Sequence, residues 1–445
     1  MDPIEVTSCT EYISTIQRIY TVHEYIKGKL SKKIQEIINE INQHPEDEII
    51  DVLEKEIQKH NQSKKDIIDE IKRQLENEIE QNPEDKIINV CKSGTDNGTF
   101  EKIANSNVEI YKQRLKYIRK KKKSISDGSS ISLKKRILKR LYELQANFNV
   151  QSYLFFRGLS RTEYKLIPHV LRGKDSKHYN EKLVTLDYWE TVADHSKEYN
   201  LLDDIEKMLV EMQHYEIPTR LLDWSISPLS ALYFACLESS NPKSKTTDTR
   251  ADICTVNDSH SENKDETSDS CTVYVLDAKS VYEFNRFKHI KDSKKSKKTT
   301  SSLYSQIHAK ARCLMALGME FEEIRNYIQA KYHYEIQETD CKDPIPFYSP
   351  SRNPRIAAQR GVFTIWGSDT NKTLDEVKIF EKNLIKINIH NKTQIRKELD
   401  QLYINEFTQY PDKVGASLLF KRNDSLFAYR IHSSEEKEPN ETPST

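Results

Sequence analysis

The first part of the chain places apolar residues at the spacing of an α-helix. From about residue 24 to residue 90, apolar positions return every three or four residues among lysines and glutamates. The clearest run is Ile34, Ile37, Ile38 and Ile41, followed by Ile49, Ile50, Leu53 and Ile57. A single apolar stripe on a charged background predicts amphipathic helices.

A short segment of this helical region is repeated. EINQHPEDEIIDV begins at Glu40, and EIEQNPEDKIINV begins at Glu78. In the second copy Asn82 can cap a helix, Pro83 can take its first position, and the acidic residues that follow favour the positive end of the helix dipole. The first copy has His44 as a poorer cap. Both copies are interpreted as helix boundaries, in a short bundle or antiparallel coiled coil, or in an arm for oligomerisation or sensing.

A basic run closes the helical region. KYIRKKKK ends at Lys123, and the polar segment 124–132 follows as a linker. Residues 1–123 are therefore predicted to form a helical repeat or coiled-coil-like region. Within it, 24–123 is the expected contact with a second copy of the chain or another helical partner. The basic run favours a solvated helix end over a nucleic-acid contact, because no aromatic side chain interleaves the basic residues from Arg119 onward.

The segment YLFFRGLSR, residues Tyr153 to Arg161, predicts a buried strand because four bulky apolar residues follow one another. Arg157 stands at the end of this strand, and its planar guanidinium suits a phosphate or a carboxylate. Gly158 allows another group to approach the backbone closely. Two interpretations stay open for Arg157: it binds a ligand, or it forms a buried ion pair with a carboxylate such as Asp223.

A longer motif, QHYEIPTRLLDWSISPLSALYFACLE, begins at Gln213. It predicts the end of an amphipathic helix, a short strand over residues 219–224, and a second helix that Ser227 caps with Pro228 at its first position. The second helix is apolar on almost every side, so it is predicted to be buried. Its amino end favours anions. Polar residues group around that end: His214, Arg220, Asp223, Ser225 and Ser227.

A third motif, RIAAQRGVFTIWG, occupies residues 355–367. The alternation up to Trp366 predicts a strand, with Gln359 and Gly361 at its mouth. Another strand is predicted at 272–276. Between the second and third motifs, residues 241–270 form a polar, low-complexity insertion that we predict to be a disordered loop.

Charge and cysteine content narrow the classes of protein. The formal net charge is zero, which disfavours a partner recognised by the charge of the whole chain, such as duplex DNA or an anionic membrane. The seven cysteines form no C-x-x-C pair and no zinc spacing, so we predict a reducing compartment and no metal. Without an apolar signal region or a run of membrane length, we expect a cytoplasmic protein. Phosphate-loop, Rossmann, nucleophile-elbow and H-E-x-x-H patterns are absent.

The three motifs, in this order, resemble the FRG domain family. The match comprises FFRG, then Y-x-L-x-P-x-x-x-R from Tyr164 to Arg172, the PTRLLDW and ALYFA segments, and Q-x-G-V-F-T from Gln359. The resemblance covers about residues 133–422 and leaves a polar tail at 423–445. It implies an α+β protein in which an N-terminal all-α helical arm precedes a mixed α/β FRG domain.

A fainter resemblance is to the R-S-E class of ADP-ribosyltransferases, which carry an aromatic strand ending in Arg-Gly, a strand with serine, and an E-x-E strand. This resemblance implies NAD as the ligand, with Arg157 on its phosphates or ribose and a serine of the second motif at the nicotinamide pocket. It also places Gly361 where that class has its catalytic glutamate. A glycine offers no carboxylate to stabilise positive charge at the anomeric carbon. Catalysis would therefore need another carboxylate, such as Asp223 or Glu216.

Two classes of function stay open. The first is an enzyme, an NAD-dependent transferase or glycohydrolase, with Asp223, His214 and Gln359 as catalytic residues that position the ribose and carry a proton. Its candidate cofactor-binding residues are Arg157, Gly158, Arg220, Ser225, Ser227 and Trp224. His214 and Trp224 also fit structural roles, as a hydrogen-bonded histidine and a core aromatic residue.

The second class is a catalytically inactive module that binds a nucleotide or a nucleic acid as a sensor, coupled to the helical arm. The FRG resemblance also suggests an effector in a defence or toxin role.

Overall fold

The computed structural model describes most of the chain, with gaps. The described residues are 3–59, 63–81, 97–120, 132–149, 153–172, 179–193, 200–237, 269–290, 301–348 and 353–422. The second repeat copy from Asn82, the linker up to 131, the insertion from 241 to 268 and the tail 423–445 lie outside the described residues. The sequence-based statements about these segments stay predictions.

A seven-stranded sheet lies at the centre of the described structure. Its strands are β1 (Ile4–Val6), β2 (Leu154–Leu159), β3 (Leu221–Ser225), β4 (Cys271–Asp277), β5 (Ile345–Phe347), β6 (Gly361–Ile365) and β7 (Leu384–Ile389). Their order in space is β1-β7-β4-β2-β3-β6-β5. β1 runs parallel to β7, and the other neighbours are antiparallel. The strands predicted from the three motifs are confirmed, and they are neighbours in one sheet.

Five of the described helices precede β2. They are α1 (Cys9–Gln43), α2 (Ile49–Lys59), α3 (Lys64–Gln81), α4 (Asn97–Lys120) and α5 (Leu133–Asn149). The predicted periodicity is confirmed in α1, where Ile34, Ile37, Ile38 and Ile41 are fully buried.

Local hydrogen bonds set the start of α1. The Ser8 hydroxyl accepts a bond from the backbone N–H of Glu11 at 3.2 Å, and the Glu11 carboxylate accepts one from the N–H of Thr7 at 2.8 Å, so the helix start is capped from both sides. α1 ends at Gln43, and α2 begins at Ile49 after a turn. The first repeat copy is therefore a helix boundary, with Pro45 in the turn before α2.

The apolar stripe of α1 packs within the chain. One continuous cluster of buried side chains joins α1, α4 and α5 to β2, β4 and β7. The strand β1, immediately before α1, also belongs to the central sheet. The predicted helical arm therefore shares its sheet and its core with the region of the FRG motifs.

The remaining described helices follow β2 and surround the rest of the sheet. They are α6 (Glu181–Ala193), α7 (Leu201–His214), α8 (Pro228–Ala235), α9 (Ala278–Ile290), α10 (Ser301–Ala316), α11 (Phe321–Tyr332), α12 (Pro354–Gln359), α13 (Lys378–Glu381), α14 (Lys392–Gln401), α15 (Glu406–Gln409) and α16 (Lys413–Arg422). The architecture is α+β, as predicted. Among the described residues, no helix combines the length and the apolar character needed to cross a bilayer.

Two groups of helices share one face of the sheet and leave a seam between them. Residues that pair directly across antiparallel strands point to the same face. The register places Phe156 opposite Ser225, and Ser225 opposite Gly361. On this face, the cluster that includes α1 and α8 covers β2, β4 and β7, whereas the cluster that includes α7, α10 and α11 covers β3, β5 and β6. Asp223 and Ser225 of β3 lie where the two clusters meet, and we call this place the seam.

Candidate functional site

The alternation along β3 places a carboxylate in the seam. The sequence Leu-Leu-Asp-Trp-Ser sends Leu221, Asp223 and Ser225 to the seam face and the intervening side chains to the opposite face. Leu221 and Ser225 are buried, whereas Asp223 between them is exposed. A strand inside a sheet thus presents one ionisable group to solvent.

Arg157 of β2 holds this part of β3. Within the described residues, the ladder between β2 and β3 is the single pair Phe156 and Ser225. Beyond that pair, Arg157 Nη1 donates to the backbone oxygen of Asp223 at 2.5 Å and lies 3.9 Å from its Oδ2. The Arg157 side chain is 12% exposed and that of Asp223 is 54% exposed. Arg157 therefore has a protein carboxylate beside it, and that carboxylate faces solvent.

Gln213, at the end of α7, fixes the Asp223 carboxylate. Gln213 Nε2 donates to Asp223 Oδ2 at 2.7 Å, and the Thr219 hydroxyl donates to Gln213 Oε1 at 2.5 Å. Thr219 in turn accepts a bond from the N–H of Leu221 at 3.1 Å. This chain of bonds fixes which end of the amide faces Asp223. Sequence reasoning gave Gln213 no role, although its place at the start of the second motif was the available signal.

The two serines of the motif organise the start of α8. Ser225 Oγ donates to the backbone oxygen of Gln359 at 2.6 Å and accepts a bond from the N–H of Ser227 at 2.8 Å. The Ser227 hydroxyl accepts a bond from the N–H of Ser230 at 3.3 Å, and Pro228 takes the first helical position. The predicted cap is confirmed. Both hydroxyls make bonds within the protein, so their contribution to a site is to position α8 and Gln359.

Two elements from the C-terminal part border the same seam. Gln359 Nε2, at the end of α12, donates to the backbone oxygen of Gln409 at 3.1 Å. Arg355 Nη1 donates to the backbone oxygen of His214 at 3.2 Å, and the Arg355 guanidinium lies 4.6 Å from the centre of the Tyr410 ring. Sequence reasoning missed Arg355 and Tyr410, because their proximity to His214 depends on contacts between distant segments.

His214 is held in a neutral form by its surroundings. Partial burial lowers the pKa of His214, and the nearby Arg355 charge lowers it further, whereas Asp412 and Glu211 act in the opposite direction. Its Nδ1 is buried without a hydrogen-bond partner. His214 follows Gln213 in the chain, and its neutral imidazole has a lone pair that can accept a proton from a reacting group.

Three predicted cofactor-binding residues make structural contacts instead. A Cβ on Gly158 would lie 2.0 Å from the backbone oxygen of Ala231, so the close approach that this glycine allows is made by helix α8. Arg220 forms a buried pair with Glu181 at 2.9 Å and 2.5 Å, and also donates to the backbone oxygen of Trp366 at 3.3 Å.

Trp224 is buried, and its Nε1 donates to the Thr364 hydroxyl at 3.1 Å. It belongs to a core cluster on the opposite face of the sheet from Asp223. A base could not stack on this ring without unpacking that core, so the core alternative for Trp224 agrees with its position.

The remaining predicted residues, Asp223, His214, Gln359, Ser225 and Ser227, gather around the seam together with Arg157. Gly361 lies directly opposite Ser225 and diagonally across from Asp223 on the same face. Within the described ranges, no group of three or more His, Cys, Asp or Glu side chains is arranged to hold a metal ion.

Comparison with known families agrees with the motifs. The model of the FRG domain family matches residues 152–244, which include β2, α7, β3 and α8. Neither the curated proteins nor the solved structures include a match to the chain. The matched segment carries Arg157, Gln213, His214 and Asp223, and this part of the chain is therefore an FRG domain.

Proposed function

We propose that the seam binds a nucleotide of the NAD type and that Asp223 supports cleavage of its N-glycosidic bond. The observation that carries this proposal is the Asp223 carboxylate, exposed in the interior of a sheet and oriented by Gln213 and Arg157. Carboxylates that the protein holds in place while one side faces solvent are typical of sites where charge develops during a reaction.

The chemistry needs such a group. When nicotinamide leaves the ribose, positive charge grows at the anomeric carbon, and a nearby carboxylate lowers the energy of that state. Gly361 cannot supply it. Asp223 lies diagonally across the β3–β6 pair from Gly361, and such neighbours are about 7–8 Å apart. Asp223 is therefore close enough to stand in for the carboxylate that position 361 lacks.

The other seam residues fit the parts of this ligand. Arg355 adds a positive charge beside His214 for the phosphates. His214 favours its neutral form and can take a proton from a water molecule or hydroxyl group that attacks the ribose. Gln359 offers an amide at the end of α12 for the ribose hydroxyls. In this arrangement Arg157 acts on the ligand through Asp223, whose backbone and carboxylate it holds.

The test measures nicotinamide release from NAD by the full-length protein, with and without cell extract. We expect Asp223→Asn to lower the rate by about a hundredfold or more, because the amide keeps the shape and removes the charge. Asp187→Asn, at an exposed position on α6, is the matched control and should behave as wild type. Equal rates for wild type and Asp223→Asn would remove Asp223 from the mechanism.

A second candidate function is nucleotide binding without turnover, and Gly361 favours it because the usual carboxylate is absent there. In that case NAD should raise the unfolding temperature of the wild-type protein without forming nicotinamide. Arg355→Gln should reduce the shift. If neither NAD nor another nucleotide shifts the unfolding temperature, both candidate functions are wrong, because both require a bound nucleotide.

We further propose that the protein acts as a cytoplasmic effector in a defence or toxin role. A helical partner or a second copy would bind residues 24–123 on their solvent-facing side, because the apolar stripe of α1 packs within the chain. Depletion of NAD by an effector would arrest cells. Expression of the wild-type chain should therefore slow growth, and expression of Asp223→Asn at the same level should not. Equal growth in both cultures would argue against the effector role.

A further inference from the structure

A second group of reactive side chains lies at the other edge of the sheet, away from the seam. Ser270 Oγ is 3.1 Å from His390 Nδ1, and His390 Nε2 is 2.6 Å from Glu5 Oε2. A hydroxyl, an imidazole and a carboxylate therefore form one hydrogen-bonded line. None of the three belongs to the FRG motifs or to the residues assigned to the seam.

The topology brings these three residues together from distant parts of the chain. β1 pairs in parallel with β7, which places Glu5 opposite Asn388, and the N–H of His390 donates to the backbone oxygen of Val6 at 2.8 Å. Ser270 directly precedes β4, whose first residue pairs with the last residue of β7. The group exists only because the first strand of the chain joins the edge of the sheet.

Neighbouring groups orient the line. Asn388 Nδ2 donates to the second carboxylate oxygen of Glu5 at 3.0 Å, so the carboxylate is held at both oxygens. When His390 Nε2–H donates a hydrogen bond to Glu5, the lone pair of Nδ1 faces the Ser270 hydroxyl. This arrangement satisfies the two contacts expected of an activated serine, nucleophile to base and base to orienting acid. The ring nitrogens are exchanged relative to the serine-protease arrangement, but either nitrogen of imidazole can act as the base.

Backbone donors lie beside the serine. The N–H groups of Lys392 and Thr393, in the first turn of α14, point at Asp269 at 3.4 Å. These bonds are long, and Asp269 is the residue before Ser270. They join the residue before Ser270 to the first turn of a ten-residue helix, and this contact helps to fix the position of the serine.

We propose that Ser270, His390 and Glu5 form a second, hydrolytic site that acts on small carboxylic esters. Ser270 Oγ attacks the ester carbonyl carbon while its proton passes to His390 Nδ1. The alcohol then leaves with that proton, and an acyl-serine forms. Water attacks the acyl carbon and loses a proton to His390 Nδ1. The acid is then released as that proton passes to Ser270 Oγ, which restores the hydroxyl and the neutral imidazole. Glu5 is a positioning residue, because it acts through His390. The His390 and Glu5 side chains are 42% and 51% exposed, which fits a small ester approaching an open surface.

The test uses the full-length protein, a fluorophosphonate probe and p-nitrophenyl acetate. We expect the probe to add covalently to the peptide that contains Ser270, and Ser270→Ala to abolish both labelling and acetate release. Ser368→Ala, at an exposed serine after β6, is the matched control and should keep both. Glu5→Gln should lower kcat by about tenfold or more with little change in KM, and Glu5→Asp should restore part of it.

A wild-type protein that takes no label, or labelling that survives Ser270→Ala, would overturn the proposal. Circular dichroism of each variant separates a lost site from a lost fold. Nicotinamide release from NAD should be unaffected by Ser270→Ala. A wrong assignment of the ester-hydrolysing site can therefore be distinguished from a wrong assignment of the seam.

Discussion

Two arginines of the FRG motifs each lie beside a carboxylate, and the two carboxylates differ in their exposure to solvent. Arg220 grips both oxygens of Glu181, and the two side chains are 8% and 13% exposed. Arg157 lies 3.9 Å from the Asp223 carboxylate, and here the side chains are 12% and 54% exposed. Both arginines are nearly buried, so the difference lies in their partners.

The difference distinguishes a carboxylate that supports the fold from one that faces solvent and can meet a ligand. A carboxylate whose oxygens are taken up by a buried guanidinium has little capacity for a ligand, and removing its partner leaves a buried charge. A carboxylate held from one side keeps lone pairs for a substrate. The sequence alone does not distinguish a structural carboxylate pair from a solvent-facing one, because it shows residue types and not their surroundings. In the structure, Gly158 and Arg220 both make contacts that support the fold.

The largest expected effect is therefore at the glycine beside Arg157. Gly158→Ala puts a methyl group 2.0 Å from the backbone oxygen of Ala231, so α8 must move off β2. We expect a loss of about 3 kcal/mol or more in the free energy of unfolding, measured by urea denaturation. Gly28→Ala is the matched control, because no atom lies within 4 Å of its new methyl group. It should stabilise α1 by about 0.5–1 kcal/mol. A Gly158→Ala protein as stable as wild type would mean that α8 does not depend on this contact.

The next effect separates the two arginines directly. Arg220→Ala leaves the Glu181 carboxylate nearly buried without its partner, and we expect a cost of about 3 kcal/mol. Arg157→Ala leaves a carboxylate that water can solvate, and we expect less than about 2 kcal/mol. Urea midpoints of the two variants make the comparison.

A double variant, Arg220→Ala with Glu181→Ala, checks the reason for the difference, since it removes both charges and should recover part of the stability. Equal losses for Arg157→Ala and Arg220→Ala would place Arg157 with the structural residues. Nicotinamide release from Arg157→Ala would then be lost for lack of folded protein, and not for lack of a ligand contact.

Much of the fold follows from local patterns, because local patterns determine local structure. The isoleucine spacing predicted α1, the run at Leu154 predicted β2, and Ser227 with Pro228 predicted the start of α8. The strand β1 was missed because three residues carry no measurable alternation. Its pairing with β7 depends on a segment more than 350 residues away in the chain, as the bond from Asn388 to Glu5 illustrates.

The candidate site was predictable in part. Asp223 and His214 were identified from their place in the motif, and both lie at the seam. For Trp224 the sequence left two alternatives open, stacking on a base or packing in the core. Its ring packs in the core on the face of the sheet opposite Asp223, because successive residues of a strand point to opposite faces. Arg355 could be recognised only once the fold had brought it to the backbone of His214.

The smallest expected effect is on how the stability of the protein depends on pH. It compares His214 at the seam with the buried pair of Arg220 and Glu181. Burial, followed by the Arg355 charge, lowers the pKa of His214 in the folded protein. The unfolded chain therefore binds a proton more readily than the folded chain as the pH falls through about 6.5. The contribution of His214 to stability is complete above that pH and decreases below it.

We expect His214→Gln to reduce the loss of stability between pH 7 and pH 5, and Arg355→Gln to reduce it less, because the arginine charge is the second cause. Urea midpoints at the two pH values measure this. Arg220→Lys is the control, because it keeps its positive charge and Arg220 is not among the groups that shift the pKa of His214. Bound NAD should oppose the effect, since its phosphates favour a protonated imidazole nearby. If His214→Gln leaves the pH dependence unchanged while NAD still binds, the imidazole is solvated in the folded protein and is available to a ligand without the cost of burial.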